Sequence, residues 1–143
     1  MQDLVRSSFF QYYLHGGGDL DPTPDTGGGL LDALGSHSAR VNCACHTAPV
    51  SVTTRVLAVA PGGPEPGWEI TAELDIASDG HLVVLHGTLT NPLPRLDNLS
   101  SSGAGTYRVR CQARGRQEAS QHAVLTEPLE HHLIQAWPVP AGA

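Results

Sequence analysis

At 143 residues the chain is the size of one ordinary domain, long enough to bury a core without a metal or a disulfide, so a single domain over 1–143 is expected. Its formal charge of -6, with all eight basic residues being Arg, excludes generic adhesion to nucleic acid or to an anionic membrane and is compatible with a basic protein partner. Hydrophobic residues make up 40% and aromatics 5%, against 16 Gly and 11 Pro, which predicts short strands joined by turns rather than long helices.

The start, MQDLVRSSFFQYYLHGGG, lacks the basic head, apolar core and small-residue cleavage site of a signal peptide, and no run of about 18 apolar residues follows, so a soluble, cytoplasmic protein is expected. Phe9 to Leu14 is dense in aromatic residues and predicts an opening strand covered on much of both faces. From His15 to Gly29 glycine runs, two prolines and three aspartates predict a long wet loop. Leu30, Leu31 and Leu34 suit one helical turn or a short strand, ended by Gly35 and Ser36.

Arg40 to Thr47 alternates Val41, Cys43 and Cys45 against Asn42, Ala44 and His46, and after Pro49 a second run sets Val50, Val52, Thr54 and Val56 on one face. Pro61 to Gly67 is a turn-rich break. The next strand places Trp68, Ile70, Ala72, Leu74 and Ile76 inward and Glu69, Thr71, Glu73 and Asp75 outward. Ser78-Asp79-Gly80 is a hairpin signal, which predicts that His81 to Leu89 returns as the antiparallel partner of that strand. Asn91 to Gly105 reads as a Pro- and Ser-rich loop.

Tyr107, Val109, Cys111 and Ala113 then alternate strictly with Arg108, Arg110, Gln112 and Arg114, the period-2 mark of a half-buried strand. A last strand spans Leu129 to Trp137, and Pro138 and Pro140 close it because neither carries the N–H a central ladder requires. The sum is an all-β chain of about seven or eight short strands, which predicts an antiparallel β-sandwich.

The order of FFQYYL, a Gly/Pro/Asp loop, VSVTTRVL, WEITAELDI with its SDGHLVVLHG hairpin return, GTYRVRCQARGR and HLIQAWPVP resembles the competence protein J family and its uncharacterised bacterial relatives. The namesake of that family binds and inhibits a DNA-entry nuclease. The resemblance spans most of the chain and rests on strand pattern, the G-x-Y-R-x-R strand entry and the terminal W-P. It implies a β-sandwich that works by binding a protein, with no catalytic residues to carry over.

Several residue groups bear on chemistry. Arg108, Arg110, Arg114 and Arg116 hold half of the positive charge and suit phosphate or carboxylate recognition. Glu69, Glu73 and Asp75 on the outward face of the Trp68 to Ile76 strand offer the same arginines plain cross-strand pairing, the simpler expectation. Cys43, Cys45 and His46 form C-x-C-H, a zinc-like cluster that would need Cys111 or a distant His to complete it; buried thiols are the simpler account, since an odd number of cysteines makes no secreted disulfide framework. Asp19, Asp21 and Asp25 lack the EF-hand order. His131 and His132 fall on opposite faces of an extended strand, near Glu127 and Glu130, but no nucleophile stands beside them in sequence, and Ser100 to Ser102 has no nucleophile elbow.

A non-catalytic protein-binding module is therefore expected, an inhibitor or immunity-like partner of a nuclease or another basic effector, with no cofactor and no metal. Glu69, Glu73, Asp75, Arg108, Arg110 and Arg114 are the candidate partner-binding residues. A structural subunit of a larger assembly is the second expectation, and a metal-dependent hydrolase a distant third.

Overall fold

The computed structural model describes residues 2–18, 29–87, 96 and 98–140, which form nine strands and one helical turn. Strands β1 (Gln2–Ser7), β5 (Ala48–Val56), β9 (His131–Pro138), β8 (Gly105–Arg114) and β6 (Ile70–Ser78) make a five-stranded sheet in that spatial order. A four-stranded sheet runs β3 (Leu31–Ala33), β4 (Ser38–Asn42), β2 (Gln11–His15) and β7 (Val83–Leu85). The two pack as an all-β sandwich, antiparallel throughout except that β5 and β9 run parallel.

The alternation of β8 sets the core. Tyr107, Val109, Cys111 and Ala113 point inward and meet Val50 and Val52 of β5 and Ile134 and Ala136 of β9. From the facing sheet come Tyr12, Leu14, Ala39, Val41 and Val84, so both layers share one apolar interior. The Tyr107 hydroxyl donates to the Gly103 carbonyl at 2.7 Å and accepts the Ser102 amide at 2.8 Å, which fixes the entry into β8. Pro49 is tolerated in β5 because β9 pairs only from Ser51 onward, so its missing N–H removes no ladder bond.

Four expectations need correction. Phe9 and Phe10 lie outside any strand: both have positive φ, 53° and 66°, and form the two-residue turn between β1 and β2. Ser8 and Gln11 bond to each other across that turn, whose geometry overrides the strand propensity of aromatics. The Ser78-Asp79-Gly80 turn exists, with Gly80 at φ 126°, but β7 pairs with β2 of the other sheet, and the partner of β6 is β8. Charge explains the choice, since β8 sets Arg108 opposite Asp75 and Arg110 opposite Glu73, while 81–87 holds no Arg.

Residues 43–47 form a bend rather than a strand, because β4 ends at Asn42 and β5 begins at Ala48. Trp68 is not an inward strand residue either: β6 begins at Ile70, and the Trp68 ring lies under the Arg114 guanidinium at 4.6 Å. The Asp19, Asp21 and Asp25 loop lies outside the described residues, as does most of the stretch from Asn91 to Asp97. Among the described residues no helix is long and apolar enough to cross a membrane.

Candidate functional site: the outer face of the five-stranded sheet

Three rows of side chains cross the outer face from β6 through β8 to β9. The first is Asp75, Arg108 and Trp137, the second Glu73, Arg110 and Gln135, and the third Thr71, Gln112 and Leu133. Arg108 grips Asp75 with two bonds, Nε at 2.8 Å and Nη2 at 3.2 Å, and this pairing holds the guanidinium pKa above its ordinary value. Arg110 donates from Nε to Glu73 at 2.8 Å. The plain cross-strand pairing expected of these charges is what the structure shows for Arg108 and Arg110.

The β8 and β9 members of the second and third rows, Arg110, Gln112, Gln135 and Leu133, are buried on what sequence alternation marks as a solvent face, with Arg110 5% and Gln112 1% exposed, while Glu73 and Thr71 on β6 stay exposed. Their cover is the Pro/Gly-rich connection from β5 to β6. Arg110 donates to the carbonyls of Gly62 at 3.1 Å and Gly63 at 3.3 Å, and its guanidinium lies 5.3 Å from the Trp137 ring. Gln112 bonds Glu65 in both directions, accepting its amide at 3.1 Å and donating to its carbonyl at 3.0 Å. An ion pair of Arg55 with Glu65 ties the same connection to β5 and lowers the Glu65 pKa. Alternation identifies a face but not what covers it.

Beyond this cover a cleft of about 560 Å³ opens over the first row. Ala58, Val59 and Ala60 form one wall, Trp137 to Pro140 the other, and the Asp75–Arg108 pair is part of its lining. The combination of an apolar wall and a few fixed charges suits a side chain or short segment of another molecule. Sequence reasoning did not single out Val59, and it used Trp137 and Pro138 only as a strand end and as part of the family resemblance; an apolar Val before a Pro-Gly break was the available signal. Of the remaining candidates, Glu69 accepts the Gly115 amide at 2.7 Å and lines a smaller polar cleft of about 330 Å³ with Glu118 and Gln121, while Arg114 stacks on Trp68. The six candidates therefore divide between the Asp75–Arg108 cleft, the pair of covered Arg110 with exposed Glu73, and the Glu69 and Arg114 end of the sheet.

A second constellation lies between the sheets. Gly115 turns the end of β8 into the helical turn α1 (Arg116–Ala119) at φ 77°, where a Cβ would stand 2.0 Å from the Leu129 carbonyl oxygen. That close approach brings Arg116 to Glu130, which it meets at 2.9 Å. Glu130 also accepts the Ala44 amide at 2.8 Å and lies 2.6 Å from Nε2 of His132, whose Nδ1 lies 2.7 Å from the Tyr12 hydroxyl. Burial pushes the Glu130 pKa up, but the bond and charge of His132, the Ala44 amide and Arg116 outweigh it and hold it below its ordinary value. Burial drives the Tyr12 phenol and the Cys43 thiol well above theirs.

His131 and His132 do fall on opposite faces, and Glu130 is the carboxylate that joins His132. Tyr12, Glu130 and His132 are all buried, so the relay bonds one sheet to the other inside the sandwich. The donor atoms of Cys43, Glu130 and His132 lie within 4.8 Å of one another, yet a cation there would have to displace Arg116 from Glu130. The C-x-C-H residues do not converge: Cys43 faces the main core, Cys45 joins a small cluster with Ala48 and Ala119, and His46 lies against the rings of Phe9 and Phe10. All three cysteines are free thiols and buried.

No protein-family model and no curated protein matches the sequence. Two solved structures share the fold over nearly their whole length. ComJ from Bacillus subtilis, described as an inhibitor of the DNA degrading activity of NucA, superposes with a TM-score of 0.65 at 12% identity, covering 97% of this chain and 96% of that one. The protein of crocagin biosynthetic gene J does so with a TM-score of 0.59 at 14% identity, again covering 97% and 96%. The fold relationship implied by the strand order is thus present, and at these identities what is shared is the fold.

Proposed function

We propose that the chain is a non-catalytic cytoplasmic module that binds another protein, as an inhibitor or immunity-like partner of a nuclease or another basic effector. The mechanism is occlusion: the partner is drawn by the net charge of -6 and covered by the outer face of the five-stranded sheet. The observation that carries this reading is the cleft over Asp75, Arg108 and Trp137, an open apolar site with fixed charges, while the acid–base relay of Tyr12, His132 and Glu130 is buried. A fold shared with a protein described as a nuclease inhibitor supports it.

Immobilised protein exposed to lysate of its source cell at low salt, followed by mass spectrometry and by activity assays on whatever is retained, tests the proposal. A basic protein that elutes with salt and loses its activity on stoichiometric addition of this chain is the expected result. Retention of nothing at low salt, or of a protein whose activity is untouched at saturation, overturns it.

A further inference from the structure

Strand β6 ends its sheet with one side open. The Ala77 amide donates to the Ser36 carbonyl at 2.8 Å and the Asp79 amide to Gly16 at 2.8 Å, both outside the five-stranded sheet. Along an antiparallel strand, backbone groups alternate between the partner and the far side, so Thr71, Glu73 and Asp75 share the outward direction of Ala77. Each carries one N–H and one C=O, and among the described residues no strand is hydrogen-bonded to β6 on that side. The open stretch is bracketed: Ser36 and Gly16 close one end, and at the other the Glu69 amide turns back to bond Ala113 at 2.9 Å.

The two faces of this edge differ. On the outer side stand the carboxylates of Glu73 and Asp75, partly exposed even when paired. On the inner side the apolar residues are incompletely covered, with Ile70 38% exposed and Ala72 and Leu74 half-buried. A second copy of β6 would set carboxylate beside carboxylate, which is unfavourable. A segment with cations on one face and apolar side chains on the other satisfies both sides at once.

Resting on the protein-binding reading above, we infer that β6 is a docking edge that takes an extended segment of the partner as a sixth strand, alternating Lys or Arg with apolar residues. Main-chain bonds to Thr71, Glu73 and Asp75 hold the segment. Its cations lie along Glu73 and Asp75, at the margin of the cleft, and its apolar residues cover Ile70 and Leu74. Self-pairing is discouraged by the same carboxylates, as is usual for exposed edges.

The test uses the full chain and a capped nonapeptide alternating lysine and valine, followed by amide exchange in nuclear magnetic resonance. Exchange at Thr71, Glu73 and Asp75 is expected to slow at least roughly tenfold, with amides of β1 unchanged. The same peptide N-methylated on the amides of both edges is expected to lose this protection, an arm that leaves the protein unaltered. Unchanged exchange at these three amides under millimolar peptide, or protection that survives N-methylation of both edges, overturns the inference. Thr71→Pro removes an outward N–H without touching the β6–β8 ladder. In lysate capture, a partner retained by the wild type and equally by a folded Thr71→Pro variant sinks the docking edge and leaves the protein-binding reading standing; wild type that retains nothing sinks that reading instead.

Discussion

The hydroxyl of Tyr12 in one sheet lies 2.7 Å from Nδ1 of His132 in the other, and both side chains are fully buried. Ionised Glu130 can only accept, so the hydrogen between the two sits on Nε2 of His132, and the Tyr12 hydroxyl bonds the other ring nitrogen, Nδ1. Tyr12→Phe leaves that nitrogen buried without a partner, at an expected cost of about 1–3 kcal/mol in urea unfolding. In a His132→Leu background the same change is expected to cost far less, because the two residues act as a pair. Equal costs in both backgrounds would show that the hydroxyl acts through packing alone.

Glu130 gives stability an acid limb of known sign. Its carboxyl pKa is held below its ordinary value of 4.5, so the contribution is fully present above that value and is lost as pH falls through the lower folded-state value. Asp32 adds to the same limb, since bonds from Arg40 and Asn42 outweigh burial and lower its pKa too. Unfolding free energies measured from pH 7 downward are expected to drop more steeply below about pH 4.5 in the wild type than in Glu130→Gln. Parallel acid limbs in the two proteins would remove Glu130 as the cause.

Period-2 alternation made β8 legible, and opposite charges at matching positions made its pairing with β6 legible through Glu73–Arg110 and Asp75–Arg108. Less legible was what covers a face. Arg110 and Gln112 read as solvent residues because nothing in their alternation reports that the Gly62 to Glu65 segment folds over them. The Asp79-Gly80 turn marked a reversal correctly, but turn chemistry does not choose the strand beside which the chain returns. Tyr12 and His132 stand 120 positions apart, and no local pattern links an aromatic on β2 to the buried histidine of β9.

Burial governs thiol chemistry here. Cys43, Cys45 and Cys111 are all buried, and burial pushes the Cys43 and Cys111 thiols above their ordinary value of 9.0, which suppresses the reactive thiolate. At pH 8 a disulfide reagent such as Ellman's is expected to titrate none of the three rapidly in the native protein and all three in denaturant. Rapid native modification, with the site identified by mass spectrometry, would show that its surroundings open without global unfolding.

The Phe9-Phe10 turn stores strain that a substitution should release. Both residues have positive φ, 53° and 66°, in a two-residue connection of the kind that Asn-Gly fits without penalty. Non-glycine residues so placed cost on the order of 1–3 kcal/mol each. What the rings return is limited, since they are 71% and 48% exposed and touch His46 edge-on at 4.8 Å and 5.1 Å. Such contacts are worth about 0.5–1.5 kcal/mol each at best, less where exposed. The double change Phe9→Asn and Phe10→Gly is therefore expected to raise the urea midpoint, by about 1 kcal/mol or more of unfolding free energy. A fall instead would mean that the contacts with His46 outweigh the backbone, and that the aromatic pair is part of what holds the bend at 43–47 against the β1–β2 corner.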